Sequence, residues 1–213
     1  VRVRSGQTYF HARCAILTFP LMVLKRGHVD IHPPLPDWKT RAIEEIGAGT
    51  ACKIFVRLQK PLLNDDISVL RTERKTWWRP GWGYPNERPM LVAMVGGSEA
   101  MRLEKAPIAD VEEEVRNELR KVFGGSRVNI HEVRRTAWIG DPRFGMAYSY
   151  LPTGVSPNRR SDLQRPVMSV LFAGEATSGT MPASVHGAAA TGMDAARIAQ
   201  ALWQHASLAE AIG

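Results

Sequence analysis

The sequence predicts a mixed α/β (α+β) fold, and three observations carry that expectation. Short apolar or alternating runs bounded by Gly and Pro recur along the chain, as strands require. Between them lie segments whose apolar residues return at helical spacing, most clearly in residues 108–123. The composition, 213 residues with 44% hydrophobic and 23% charged, is that of a globular domain able to bury a core. The length fits one or two domains.

The elements follow in order. Residues 1–10 alternate around Ser5-Gly6 and read as a hairpin. Residues 15–19 form a short apolar strand, and Pro20 opens a helical turn over residues 21–24. Pro33, Pro34 and Pro36 mark a linker. Asp37 is expected to cap a helix running to Ile46, with Trp38, Ile43 and Ile46 on its apolar face. Residues 50–58 alternate as a strand: Cys52, Ile54, Val56 and Leu58 share one apolar face, while Lys53 lies on the other beside Phe55. Residues 61–89 are rich in Pro, Trp and charge, with a Trp-Trp pair and a Gly81-Trp-Gly-Tyr-Pro85 turn. Residues 90–95 are a buried strand. In the helix 108–123, Val111, Val115, Leu119 and Val122 make the apolar stripe. Acidic residues load its first turns and Arg120-Lys121 its last, matching the helix dipole. A strand over 132–139 carries Trp138, and 140–168 reads as loop-rich.

The formal net charge is +7, with basic clusters in 71–79 and at Arg159-Arg160. A solvated face or a surface for an acidic partner explains this more simply than nucleic acid does. Two cysteines, Cys14 and Cys52, are too few for a disulfide framework or a zinc site, and both sit in apolar runs as reduced thiols. A cytoplasmic setting follows from that usage. No run approaches the roughly 18 apolar residues of a membrane span. The chain begins at Val1, which leaves open a trimmed chain or a subunit processed from a longer precursor. No Ser/His/Asp constellation and no metal-ligand spacing is visible.

The C-terminal segment carries the most chemistry. Leu171-Phe-Ala-Gly-Glu-Ala-Thr-Ser-Gly-Thr-Met-Pro-Ala-Ser-Val-His-Gly-Ala-Ala-Ala190 reads as a strand, a tight turn and a helix of small residues. A strand that delivers Gly174 and Glu175 at its carboxyl end suits a ligand. The helix is expected to start near Pro182, leaving the amides of Ser184 and Val185 free at its positive end. His186 reads as an ordinary helix residue.

These residues resemble the C-terminal segment of the flavin amine oxidases, which include polyamine oxidases and lysine-specific histone demethylases. The resemblance covers essentially the whole chain, in order: Ala15-Ile-Leu-Thr-Phe-Pro-Leu-Met-Val-Leu-Lys25, Pro34-Leu-Pro-Asp-Trp-Lys39, residues 47–56, Trp138-Ile-Gly-Asp-Pro142 and Gly145-Met-Ala-Tyr-Ser-Tyr150. It implies a FAD cofactor contacted by Thr18, Phe19, Pro20, Trp138, Gly174, Glu175, Ser184 and Val185, with Glu175 accepting from ribityl hydroxyls. It implies that Lys53 holds a water against flavin N5 and that Tyr148 forms one wall of an aromatic cage for the amine, with Tyr150 packing. The second cage aromatic of many relatives is Ser184 here, as in the demethylases, while Arg143 replaces a demethylase aromatic. No Cys follows Cys52, so the flavin is expected to be non-covalent.

The resemblance also implies an absent part. The family begins with a strand, a Gly-x-Gly-x-x-Gly turn and a helix that hold the pyrophosphate. The glycine pairs Gly96-Gly97 and Gly124-Gly125 do not have that spacing. The chain therefore reads as the C-terminal portion of a Rossmann-like FAD domain (1–25 and 160–205), a mixed-sheet substrate domain (26–159) and a tail (206–213), lacking the N-terminal βαβ unit. The expected partners are a second polypeptide carrying that unit, a small-molecule amine or amino acid, and O2. A substrate amino acid, or a non-catalytic scaffold role, are the alternatives.

Overall fold

A computed structural model describes residues 1–63, 69–80 and 89–204. The strands are β1 (Arg2–Ser5), β2 (Thr8–His11), β3 (Ala15–Leu17), β4 (Gly47–Gly49), β5 (Ala51–Leu58), β6 (Val69–Arg71), β7 (Thr76–Trp78), β8 (Met90–Gly96), β9 (Ile130–Arg135), β10 (Tyr148–Tyr150) and β11 (Val170–Phe172). The helices are α1 (Leu21–Lys25), α2 (Asp37–Glu45), α3 (Gly97–Lys105), α4 (Ile108–Phe123), α5 (Asn158–Gln164) and α6 (Val185–Gln204). They divide into two units, Val1–Gly49 with Tyr148–Gly213, and Thr50–Ala147. The division leaves α2, β4 and β10 with the terminal segments.

In the second unit, five described strands form one sheet in the order β6-β7-β8-β5-β9. Every described pairing is antiparallel, so the sheet is not mixed as expected. β8 and β9 run in the same direction but lie on either side of β5, and each therefore meets a strand of opposite sense. Alternation along β5 sends Cys52, Ile54, Val56 and Leu58 into the core. Ala100 and Leu103 of α3, and Val111, Val115 and Leu119 of α4, cover that face. Each large aliphatic side chain so buried contributes about 1.5–3 kcal/mol. Val122 is exposed rather than in the stripe. β9 ends at Arg135, before Trp138. The Gly81-Trp-Gly-Tyr-Pro85 turn lies outside the described residues.

In the first unit, β1 and β2 form the expected hairpin. β3 and β11 pair in parallel, Ala15 opposite Val170 and Leu17 opposite Phe172. α6 packs Ala195 and Leu202 against Leu171 and Ala173. The region expected to be loop contains β10 and α5. β10 pairs with β4, Tyr148 opposite Gly49 and Tyr150 opposite Gly47. Both tyrosine rings lie over the glycines: a Cβ on Gly47 would sit 2.5 Å from the Tyr150 ring. Asp37 is the first residue of α2 rather than its cap, a place taken by Pro36. An Asp inside the first turn still complements the dipole.

Candidate functional site

The site in the first unit is built on the parallel pair β3 and β11. Ligands in α/β folds gather at the carboxyl ends of parallel strands. There, β3 runs into Thr18, Phe19 and Pro20, and β11 into Ala173, Gly174 and Glu175. The Ala173 N–H donates to the Leu17 carbonyl at 3.0 Å and keeps the two exits in step. Thr18 and Phe19 are exposed. Gly174 has φ +133°, a conformation that needs glycine. A Cβ there would meet nothing within 4 Å, so the space beside the turn is open.

Glu175 is more occupied than the sequence implies. Its Oε1 accepts from Ser149 N at 2.9 Å, and its Oε2 from Ser149 Oγ at 2.7 Å and Ala183 N at 2.9 Å. A carboxylate oxygen takes two donors, so Oε1 retains one acceptor position. α6 begins at Val185 rather than near Pro182. Ala183 has φ +57°, a left-handed turn that no helix continues through. Ser184 then caps the helix: its hydroxyl accepts from Gly187 N at 3.0 Å and donates to the Met181 carbonyl at 2.7 Å. Val185 is 83% exposed at the open end. Thr191, which sequence reading passed over, accepts from Gly174 N at 3.0 Å and ties α6 to the turn. Its spacing from the buried Gly187, one helical turn, is the signal that places it on the inner face.

Arg160 corrects the basic-surface reading of Arg159-Arg160. Arg159 pairs with Glu45 and Asp162, whereas Arg160 is 3% exposed. Burial pulls its guanidinium down and the Glu175 charge holds it up. Lys39 is wholly buried. Its Nζ donates to the carbonyls of Leu163 at 2.6 Å and Arg165 at 2.5 Å, and lies 3.9 Å from the centre of the Phe172 ring. Burial lowers Lys39 to about 7, opposed by the Asp162 charge and aided by that of Arg165.

In the second unit, Lys53 is exposed on β5, opposite Met94 of β8. Its amide donates to Thr136 Oγ1 at 2.9 Å and its carbonyl accepts from Thr136 N at 2.9 Å. Trp138 follows two residues later, in a turn, edge-on to Phe144 with ring centres 5.1 Å apart. Phe144, beside Arg143, went unread in the sequence. Arg143 itself is held by Asp141, and that pairing draws the Asp141 carboxyl down to about 2. Among the described residues no group of His, Cys, Asp and Glu could hold a metal ion, and no helix is long and apolar enough to cross a membrane. Cys14 and Cys52 are free thiols.

Residues 1–199 match the profile of the family described as flavin containing amine oxidoreductase. The chain belongs to that family. Histone demethylase-like protein A of Aspergillus fumigatus is 32% identical over 215 residues, covering 92% of this chain and 20% of that protein. Polyamine oxidase 2 of Arabidopsis thaliana is 32% identical over 202 residues, covering 92% of this chain and 40% of that protein. Among solved structures, cyclohexylamine oxidase from Brevibacterium oxydans IH-35A matches with a TM-score of 0.76 at 21% identity, over 94% of this chain and 45% of that one. Wild-type putrescine oxidase bound to putrescine matches with a TM-score of 0.78 at 18% identity, over 91% and 44%. These two likenesses establish the fold. The chain spans less than half the length of each of these four proteins. Membership of that family implies a flavin cofactor, and the residues here fit one. The turn at Gly174 is open, the Thr18 hydroxyl and the amide end of α6 are accessible, and Glu175 Oε1 has a free acceptor position.

Proposed function

We propose that this chain is part of a FAD-dependent amine oxidase acting on a C–N bond of a small-molecule amine. The observation that carries the reading is the parallel pair β3 and β11. Its carboxyl ends carry residues 18–20 and 174–175 on adjacent strands, with the head of α6 tied to Glu175. Bound flavin supplies the hydride acceptor for the carbon beside a neutral amine, giving an imine that water converts to a carbonyl product, with O2 reduced to hydrogen peroxide on reoxidation.

The chain's own residues bind and orient. The head of α6 offers amides at the positive end of its dipole, which favours negative charge placed there. Tyr148 lends an aromatic face to an arriving ammonium group. Lys53 is assigned to an ordered water at flavin N5, and Trp138 to a flavin contact. FAD is held without a covalent link, since the C-terminal segment has no Cys. The pyrophosphate-binding turn lies outside these residues, on a second polypeptide or on a further stretch of this one. Val185, Met193 and Trp203 leave large apolar surface exposed along α6, of the kind a docking partner covers.

The protein purified with its co-assembling polypeptide is expected to be yellow, with the visible absorbance of oxidised flavin. A colourless assembly at full stoichiometry overturns the reading. Lys53→Met is expected to slow substrate oxidation or flavin reoxidation by about tenfold or more, equivalent to roughly 1.4 kcal/mol of barrier. A scaffold is indifferent to that change. A peroxide-release panel of polyamines, N-methylated amines and amino acids names the substrate.

A further inference from the structure

Arg160 lies on the inner side of α5, 3% exposed, and nothing in the reading above uses it. Its Nη1 donates to Ser149 Oγ at 2.8 Å and to the Ala176 carbonyl at 2.9 Å. The same hydroxyl donates to Glu175 Oε2 at 2.7 Å. Glu175 Oε2 also accepts from Ala183 N at 2.9 Å, two residues before α6 begins. One buried hydroxyl thus receives from a cation and gives to a carboxylate. Such a chain polarises along its length. A buried charge left without its partner is costly, and the Ser149 hydroxyl links these two charges. The chain joins α5, β10, the turn after β11 and the head of α6.

We propose that Arg160 is a positioning residue. Acting through Ser149, it balances the Glu175 charge and holds the Glu175–Ala183 link that fixes where α6 begins. The proposal rests on the reading of that helix head as a flavin contact. With Arg160 in place, the positive potential of the head is undiminished by Glu175. Without it, an unbalanced carboxylate sits beside the head and opposes negative charge arriving on a reduced flavin. Ser149 is also the residue between Tyr148 and Tyr150, so the same chain anchors the strand that presents Tyr148.

The test compares Arg160→Met and Arg160→Lys with the parent, each as the flavoprotein with its co-assembling polypeptide. The first readout is the flavin reduction potential against a reference dye. Arg160→Met is expected to shift the oxidised-to-reduced ratio about tenfold toward oxidised flavin, about 30 mV for a two-electron couple. Arg160→Lys, which keeps the charge, is expected to return most of that shift. The second readout is amide hydrogen exchange at Ala183 and Ser149, expected to quicken about tenfold in Arg160→Met as the link opens. Bound flavin with an unchanged potential in Arg160→Met overturns the electrostatic role. Unchanged exchange at Ala183 overturns the positional one. If the parent takes up no flavin, the functional reading fails and the exchange data alone decide the positional role. Should Arg160→Met not fold, Arg160→Gln carries the potential comparison, and Ser149→Ala, which removes the relay hydroxyl and keeps both charges, carries the exchange comparison at Ala183.

Discussion

Gly187 marks the tightest approach in the first unit. A methyl group there would lie 1.9 Å from the Met181 carbonyl oxygen and 2.8 Å from Ser178 Oγ. Neither neighbour yields easily, because Ser178 Oγ accepts from Met181 N at 3.1 Å and the Met181 carbonyl accepts from Ser184. Gly187→Ala is therefore expected to destabilise the protein by about 1–3 kcal/mol, read as a lower urea midpoint at unchanged slope. An unchanged midpoint would show that the loop moves aside freely. The sequence marks Gly187 as a small residue in a helix of small residues. It does not say which of them is indispensable, because that depends on a carbonyl six positions upstream. Glu175 illustrates the same limit. Its place in the turn is legible, but its three donors come from Ser149 and Ala183, and no local pattern announces either.

Elements with a clean period were readable. The alternation in β5 and the 111, 115, 119 spacing in α4 both predict the face that is buried. Elements without one were not. α3 follows β8 directly, and its Gly97 start and charged middle hide the pair Ala100 and Leu103 that packs inward. α5 is only seven residues long, with two arginines that suggest a surface. The Trp77 strand is held to α4 by polar contacts that no period encodes. Lys75, with its side chain fully buried, donates to Glu114 Oε1 and Glu118 Oε2 at 2.7 Å each. Trp77 Nε1 donates to Glu118 Oε1 at 3.0 Å, and Thr72 also bonds Glu118. Lys75→Met leaves Glu118 without its cation, while Glu114 keeps Arg102 at 2.7 Å. It is expected to cost about 3–5 kcal/mol, measured by chemical denaturation. A loss under about 1 kcal/mol would mean that water replaces the ammonium group at little cost.

Stability of the whole protein should carry the signature of Lys39. The unfolded chain keeps that proton up to the ordinary value of 10.5, and the folded protein releases it near 7. Between those values the unfolded state holds the extra proton, so stability rises with pH across that window and is lowest below it. One proton corresponds to a slope of at most about 1.4 kcal/mol per pH unit. Lys39→Met should remove this increment, and equal slopes for variant and parent between pH 7 and 10 would rule it out. At the same scale, the chain's two units were only half legible. The sequence marks a substrate portion in the middle, yet α2, β4 and β10 stay with the ends. The rung that pairs Gly49 with Tyr148 explains why. The chain leaves the first unit at one side of that rung and returns at the other, with residues 50–147 spent between. Those 98 residues leave and return at the end of one short ladder, β4 with β10. Insertions are tolerated where their two ends already lie side by side. The middle of this chain can thus be lengthened or exchanged for another cassette while the first unit keeps its register, a route by which one framework of this family takes on a new second unit.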